Sequence, residues 1–450
     1  MTNKMKNIIC FLIASFISCD LLMAQSNPEI KLDLQTRNVI IENICKALNK
    51  NYVFPEKAKL MSDYIKEQNE KGKYNSITNP NELASQVFKD IRSVNNDTHL
   101  RIVYDPRLEE DILKFLSSKK GSDKVSEADI AKDEKINFYF KKIEILPSNI
   151  GYIEFNGFAN PSPAASKTIN SAMQFVAHAD AIIIDLRNNF GGNGSTASEV
   201  AGYFFNSRTY TGRSFNRIEN KWTDQYIENK KAITNGLVLK MPIYILTSKR
   251  TFSAAEGLAY TLQNLKNVVI IGDTTRGGAH LTRSFSLGNG FVGFIPYMRG
   301  ENAVTKTDWE GTGVIPNIST EESNCLVIAQ NTILNNKLAT ATNETEKRKI
   351  KYIINYNKSK YSSVNIEPSE VSKFTGRFAE FEVTLQGGQL MFRDVNRPTI
   401  NYKKMIAITP TLFQVGNDYQ VEFVIDNGLC KSFKMYWDDG YEDKIDKSGK

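Results

Sequence analysis

Histidine is scarce in this chain: His99, His178 and His280 are all there are among 450 residues. Chemistry that needs an imidazole therefore has three places to find one. No cluster of histidines and carboxylates has metal-ligand spacing, so neither a metal nor another cofactor is expected. Cysteine is almost as sparse, at five residues with no C-x-x-C pair. Cys45, Cys325 and Cys430, the three beyond the N-terminal leader, are odd in number and far apart. That excludes a disulfide scaffold and a zinc site, and leaves buried, inert thiols. Long apolar runs are missing too. The run IICFLIASFI (8–17) is too short to span a bilayer, and nothing later is apolar enough, so no transmembrane helix is expected. The net charge of +7 is spread along the chain, with no basic block carrying interleaved aromatics, so nucleic-acid binding has little support. Internal repeats are absent.

What is present begins with a leader. Lys4 and Lys6 precede the apolar run, the pattern of an export signal that contributes nothing to the fold. Cleavage after Ala24 gives a signal peptide of residues 1–24 and a secreted or periplasmic bacterial protein. The competing pattern is FISC (16–19), similar to a bacterial lipobox, which would place a lipid on Cys19 and make an outer-membrane lipoprotein. Phe16 fits that pattern poorly, which favours simple secretion.

The length suggests two or three domains. Residues 31–95 carry apolar residues at helical spacing in LDLQTRNVIIENICKALNKNYVF, EKAKLMSDYIKEQ and, after Asn79-Pro80-Asn81, ELASQVFKDIRSV: a small helical bundle. Residues 105–140 are charged and irregular, the pattern of a solvated connection or a mobile element. From about 150, apolar strands alternate with helices: GYIEFNGF, PSPAASKTINSAMQFVAHA, AIIIDLR, STASEVAGYFF, MPIYILTS, SAAEGLAYTLQNL, NVVIIGD. This argues for an α/β core with helices packed on a central sheet, extended by FVGFIPYMR. Two helical runs return near 320–362. Short strands with turn signals at Gln386-Gly387-Gly388 and Asp426-Asn427-Gly428 then fill the C-terminus, a small antiparallel β domain. The expected boundaries are 30–104, 105–320, 321–365 and 366–450.

Four stretches can carry chemistry. In TSKRTFSAAEG (247–257), Ser253 stands where an apolar strand ends and a helix begins. That is a place for an ordinary helix cap, or for a nucleophile beside free N–H groups. The segment is not G-x-S-x-G. In DLRNNFGGNGS (185–195), a strand delivers Asp185 and Arg187 to its carboxyl end, where ligands of open α/β sheets gather. Two glycines follow, without the G-x-G-x-x-G or P-loop spacing of a phosphate cradle. A structural Asp–Arg pair is the plainer role for the charges. NNDTHLRIVYD holds His99 beside carboxylates. His178 closes a helix, and His280 lies in TTRGGAH. DWEGTGVIPNI (308–318) sets Glu310 in a glycine-rich loop beside Trp309, where an exposed carboxylate is the commoner case.

Together, in this order, the four stretches resemble the tail-specific, or C-terminal-processing, serine peptidase family, in the branch that includes tricorn core protease and the interphotoreceptor retinoid-binding repeats. NDTHL, DLRNNFGG, TFSAAE, IGDTTRGG and WEGTGVIPN carry the likeness, over roughly 35–320. The resemblance implies that Ser253 is the nucleophile and that the backbone of Ala254 and of the Gly191-Gly192 turn forms an oxyanion hole. Sequence does not rank the two glycines. The lysine of the family's serine–lysine branch falls on Gly278, which cannot accept a proton. The histidine branch implies His99 as base and Glu310 as its support, directly or through the Thr98 hydroxyl. The implied partner is a polypeptide. Only 51 residues separate His99 from Gly151, too few for the PDZ domain that lysine-branch members commonly carry. A non-catalytic ligand- or peptide-binding protein on the same fold, and an esterase, are the alternatives.

Overall fold

The structure, a computed structural model, describes residues 31–97, 99–117, 126–361, 364–397, 399 and 401–448. The leader with both of its cleavage patterns, Cys19 and Thr98 lie outside the described residues. The chain divides into two compact units, one of residues up to Gly121 with Thr282–Tyr297, the other of Ser122–Leu281 with Met298–Lys450.

The first unit contains the three expected helices, Leu34–Asn51, Pro55–Glu70 and Pro80–Val94. Asn79 caps the third by accepting the Asn81 N–H at 2.8 Å, and Pro80 takes the first-turn position where a missing N–H costs nothing. Leu83, Ala84, Val87 and Ile91 form its buried face. The strand Arg101–Tyr104 pairs antiparallel with Phe291–Phe294. The helix Pro106–Ser117 follows, capped by Asp105, which accepts the Leu108 N–H at 3.0 Å. Its buried Glu109 accepts the Ser286 hydroxyl and the N–H groups of Gly288 and Gly290, which fastens a hairpin turn. The 105–140 stretch is therefore more regular than its charge suggests. A second helix, Glu127–Lys135, starts in the other unit at Ser126, which accepts the Asp129 N–H at 3.1 Å. Local caps form both helices where the apolar pattern is faint.

In the second unit six strands form the central sheet, in the order Ile318–Ser319, Val269–Gly272, Ile243–Thr247, Ala181–Asp185, Ile150–Phe155, Phe140–Leu146. All neighbours are parallel except the last pair. Alternation divides the side chains between two cores. Ile182, Ile184, Ile245 and Ile270 pack with Ile169, Met173, Val200, Leu258 and Leu262 of the helices Pro163–Phe175, Gly194–Gly202 and Ala254–Lys266. Ile183, Tyr244, Leu246 and Ile271 face Ala329, Ile333, Ile350 and Ile354 of Cys325–Thr340 and Glu344–Tyr361. This is the expected α/β core. Residues Gly376–Asp446 form eight antiparallel strands in sequential order around Phe378, Phe392, Phe423 and Phe433. Two of their turns are Gly387-Gly388 and Asn427-Gly428, all four residues at positive φ, as tight hairpins require. Cys45, Cys325 and Cys430 are buried and free, and burial pushes the Cys45 thiol up to about 11.

One hairpin escapes the sequence pattern. Thr209–Asn216 and Lys221–Ile227 pair antiparallel, with Met298–Asn302 alongside. Their sequences, TYTGRSFN and KWTDQYI, mix aromatic with polar residues without a strict apolar–polar alternation. Stacking helps to hold them, with the Arg213 guanidinium 4.1 Å from the Trp222 ring centre. Among the described residues no helix is long and apolar enough to cross a membrane.

Candidate active site

The loops after Phe155, Asp185, Thr247 and Gly272 leave the carboxyl ends of neighbouring central strands, the usual place for a site in such a sheet. They are laced together by hydrogen bonds. The Thr251 hydroxyl donates to the Leu186 carbonyl at 2.8 Å, the Ser248 hydroxyl to the Arg187 carbonyl at 2.6 Å, and the Phe252 N–H to the Asn189 carbonyl at 3.0 Å. The turn holding Ser253 thus lies along Leu186–Gly191.

Ser253 occupies the cap position of Ala254–Lys266, but not as an ordinary cap. Its φ of 56° and ψ of −118° lie outside the extended geometry of a capping residue. The capping-box partner Glu256 holds the turn. Wholly buried, its carboxylate accepts the N–H groups of Ser253 (2.7 Å), Gly277 (2.6 Å) and Gly278 (2.9 Å), and the Thr275 hydroxyl. Burial pushes this carboxyl above the ordinary range, against the opposing pull of those four donors.

Both glycines of DLRNNFGG are required by their surroundings. At Gly191 (φ 95°) a Cβ would lie 2.7 Å from the Phe252 carbonyl oxygen and 2.9 Å from Ser253 Cβ; at Gly192 (φ 122°) it would lie 2.3 Å from the Phe158 carbonyl oxygen. Their N–H groups differ. Gly191 donates to buried Asn189 Oδ1 at 2.9 Å, whereas among the described residues Gly192 and Ala254 donate to no protein acceptor. Asn189 is itself fixed by donating to the Phe155 carbonyl at 2.9 Å. Asp185 is buried under Tyr152, whose hydroxyl reaches it at 2.7 Å, and pairs with Arg187, which also donates to the Glu322 carbonyl. That pair ties the strand end to the chain behind it, the structural role.

Glu310 is nearly buried. Its Oε2 accepts the N–H groups of Ala279 (2.6 Å) and His280 (3.0 Å), and Trp309 donates to the Gly278 carbonyl at 3.0 Å. Four consecutive N–H groups, 277 to 280, are therefore shared two and two between Glu256 and Glu310. Gly278, where a lysine would stand in the other branch, contributes one of them. The buried His280 imidazole has Nδ1 3.6 Å from Glu310 Oε2 and Nε2 3.4 Å from Asp308 Oδ2. His178 is exposed beyond Pro163–Phe175, ahead of the amino end of Ala181–Asp185, with its carbonyl taken by Asn149. It is remote from these loops.

His99 belongs to the first unit. There Asp97 accepts the His99 N–H at 2.9 Å and the Tyr52 hydroxyl at 2.9 Å, so a buried carboxylate sets the loop that carries the imidazole. Ser253, Ala254, Gly191, Gly192 and Glu310 all lie in the second unit. Glu256, Asn189 and the closeness of His280 to Glu310 go unremarked in a reading of the motifs, where Asp97 figures only as a carboxylate beside His99. Only Glu256 has a local signal, the Ser-x-x-Glu spacing of a capping box.

The family model for peptidase family S41 matches residues 149–320, and the model described as the N-terminal domain of Peptidase_S41 in eukaryotic IRBP matches residues 29–147. The chain is 25% identical over 177 residues to carboxyl-terminal-processing peptidase 2, chloroplastic, of Arabidopsis thaliana, which is 37% of this chain and 31% of that protein. It is 29% identical over 153 residues to the carboxyl-terminal-processing protease of Picosynechococcus, 34% of each chain. The match thus spans about a third of the length of these curated relatives. A solved structure of the photosystem II D1 C-terminal processing protease aligns with a TM-score of 0.40 at 15% identity, covering 64% of this chain and 93% of that one. The two family models adjoin and together take in most of the chain, which belongs to peptidase family S41.

Proposed function

We propose that the protein is an exported serine peptidase that cleaves polypeptides through Ser253. The strained backbone of Ser253 is the observation that carries this reading. A cap needs no such conformation, and the Glu256 carboxylate holds the strained serine in place through its N–H. Ser253 Oγ attacks the carbonyl carbon of the scissile peptide as an imidazole takes its proton. The N–H groups of Ala254 and of the Gly191-Gly192 turn stabilise the oxyanion. Gly191 already donates to Asn189, which favours Gly192 as the second donor. The imidazolium then protonates the leaving amine as the C–N bond breaks, and water hydrolyses the acyl-enzyme by the same steps.

His99 is the base in this proposal, set by Asp97, with Glu310 supporting the imidazolium directly or through Thr98. A second reading rests on His280, whose ring lies beside Glu310. Labelling with a fluorophosphonate and peptide mapping decides between them and tests the whole. Ser253 is expected to carry the label, and Ser253→Ala and His99→Ala to lose it, while His280→Ala keeps it. Labelling that survives in Ser253→Ala overturns the nucleophile; loss confined to His280→Ala moves the base. Wild type left unlabelled while binding peptide supports a binding protein instead, and hydrolysis of simple esters alone supports an esterase. With an imidazole base, kcat/KM rises through roughly pH 6–7. Export, and a lipid on Cys19, are tested by the mass of the mature N-terminal peptide.

A further inference from the structure

We propose that Tyr139 and Phe190 form an apolar shelf beside the nucleophile, which receives a hydrophobic side chain of the substrate at one of the two residues flanking the scissile bond. The proposal rests on Ser253 being the nucleophile.

Position is the first ground. Phe190 stands between Asn189, whose carbonyl takes the Phe252 N–H, and Gly191, whose backbone lies against Ser253. The segment that carries it therefore borders the serine turn. Yet this phenylalanine, in a loop tied down on either side, is 53% exposed. A single exposed phenylalanine on a protein surface needs no explanation. This one has a partner: the Tyr139 ring meets it edge to face, with centres 5.4 Å apart.

The turn that presents Tyr139 is the second ground. Asn137, Phe138 and Tyr139 have φ of 53°, 50° and 70°, three successive left-handed residues without a glycine. That conformation is costly for side chains of this size and persists only where the surroundings over-determine it. Here buried Phe138 is anchored against Ala159 and Ala165, and the Tyr139 carbonyl accepts the Asn156 N–H at 3.0 Å. Asn156 in turn accepts the Phe190 N–H at 3.2 Å, so one residue joins the backbones of both rings.

Gly157 supplies the third. A Cβ there would lie 2.9 Å from Phe190 Cζ and 3.0 Å from Tyr139 Cδ1, so the two rings meet over a bare stretch of backbone. The enclosed space beneath, lined by Phe138, Phe155 and Phe158, measures about 10 Å³ and cannot admit a side chain. A substrate side chain must therefore lie on the rings rather than under them. Flat aromatic surface with no depth favours Leu, Met, Phe or Tyr over Gly and Asp without selecting sharply among them.

Cleavage-site mapping by mass spectrometry on reduced, carboxymethylated β-casein, using the full purified chain, tests this. Wild type is expected to enrich apolar residues at one flanking position by roughly tenfold over Gly and Asp. Phe190→Ala and Tyr139→Ala should reduce that enrichment to about threefold or less, and Phe190→Leu should retain most of it. Fluorophosphonate labelling of Ser253 is read in parallel. No label in wild type removes the nucleophile reading; labelled wild type with no enrichment, or with enrichment unchanged in labelled Phe190→Ala, overturns the shelf alone. If Phe190→Ala is itself unlabelled, labelled Phe190→Leu and Tyr139→Ala decide.

Discussion

Two serines begin two helices on the same side of the central sheet, and they are used differently. Ser162 opens Pro163–Phe175 with an extended backbone, and its hydroxyl accepts the Ala165 N–H at 3.1 Å. Ser253 opens Ala254–Lys266 at φ 56°, its turn secured by Glu256. The first serine holds its helix through its side-chain oxygen, whereas the backbone N–H of the second is itself held by a carboxylate. Moving the holding task to a buried carboxylate three residues on is what separates a cap from a candidate nucleophile.

The sharpest way to break the comparison is to remove each oxygen in turn. Ser253→Ala should lower peptide hydrolysis by about 10⁴-fold or more while leaving thermal stability nearly unchanged. Next comes Glu256→Gln. An amide presents two hydrogens where the carboxylate accepts four, so at least one donor loses its acceptor. About 1–3 kcal/mol of stability should be lost in denaturant unfolding, and the displaced serine should cost about 100-fold in kcat. If kcat is untouched, Glu256 supports the loop but not the nucleophile. The strain itself is read by comparing Ser253→Gly with Ser253→Ala, where glycine should be the more stable by about 1–3 kcal/mol. Equal stabilities would remove the backbone argument. The smallest effect belongs to Ser162→Ala, which should cost about 1 kcal/mol in unfolding and leave kcat/KM alone.

Much of the architecture was legible because it is local. AIIID and IYILT announce buried strands by composition, Asn79-Pro80 announces a helix start, and Gln-Gly-Gly and Asp-Asn-Gly announce hairpins. The hairpin of Thr209–Ile227 was not legible, since stacking between Arg213 and Trp222 leaves no period-two signal. The helices within 105–140 were hidden by charge and revealed only by their caps.

At the site, the motifs named Ser253, Gly191, Gly192, Ala254, His99 and Glu310 but could not say what each group is doing. A glycine's N–H looks the same in sequence whether it is spent, as at Gly191, or available, as at Gly192. Nor does sequence say that His280 lies nearer to Glu310 than their separation of thirty positions suggests. By itself the sequence determined the family, the alternation of strands and helices in the central core, and the lack of a lysine at position 278. The tertiary structure decided which serine is strained and which glycine is committed. It also decided which carboxylate holds the turn. Chain propensities set local conformation, but hydrogen-bond partners and steric room are set by segments distant in sequence that the fold brings together.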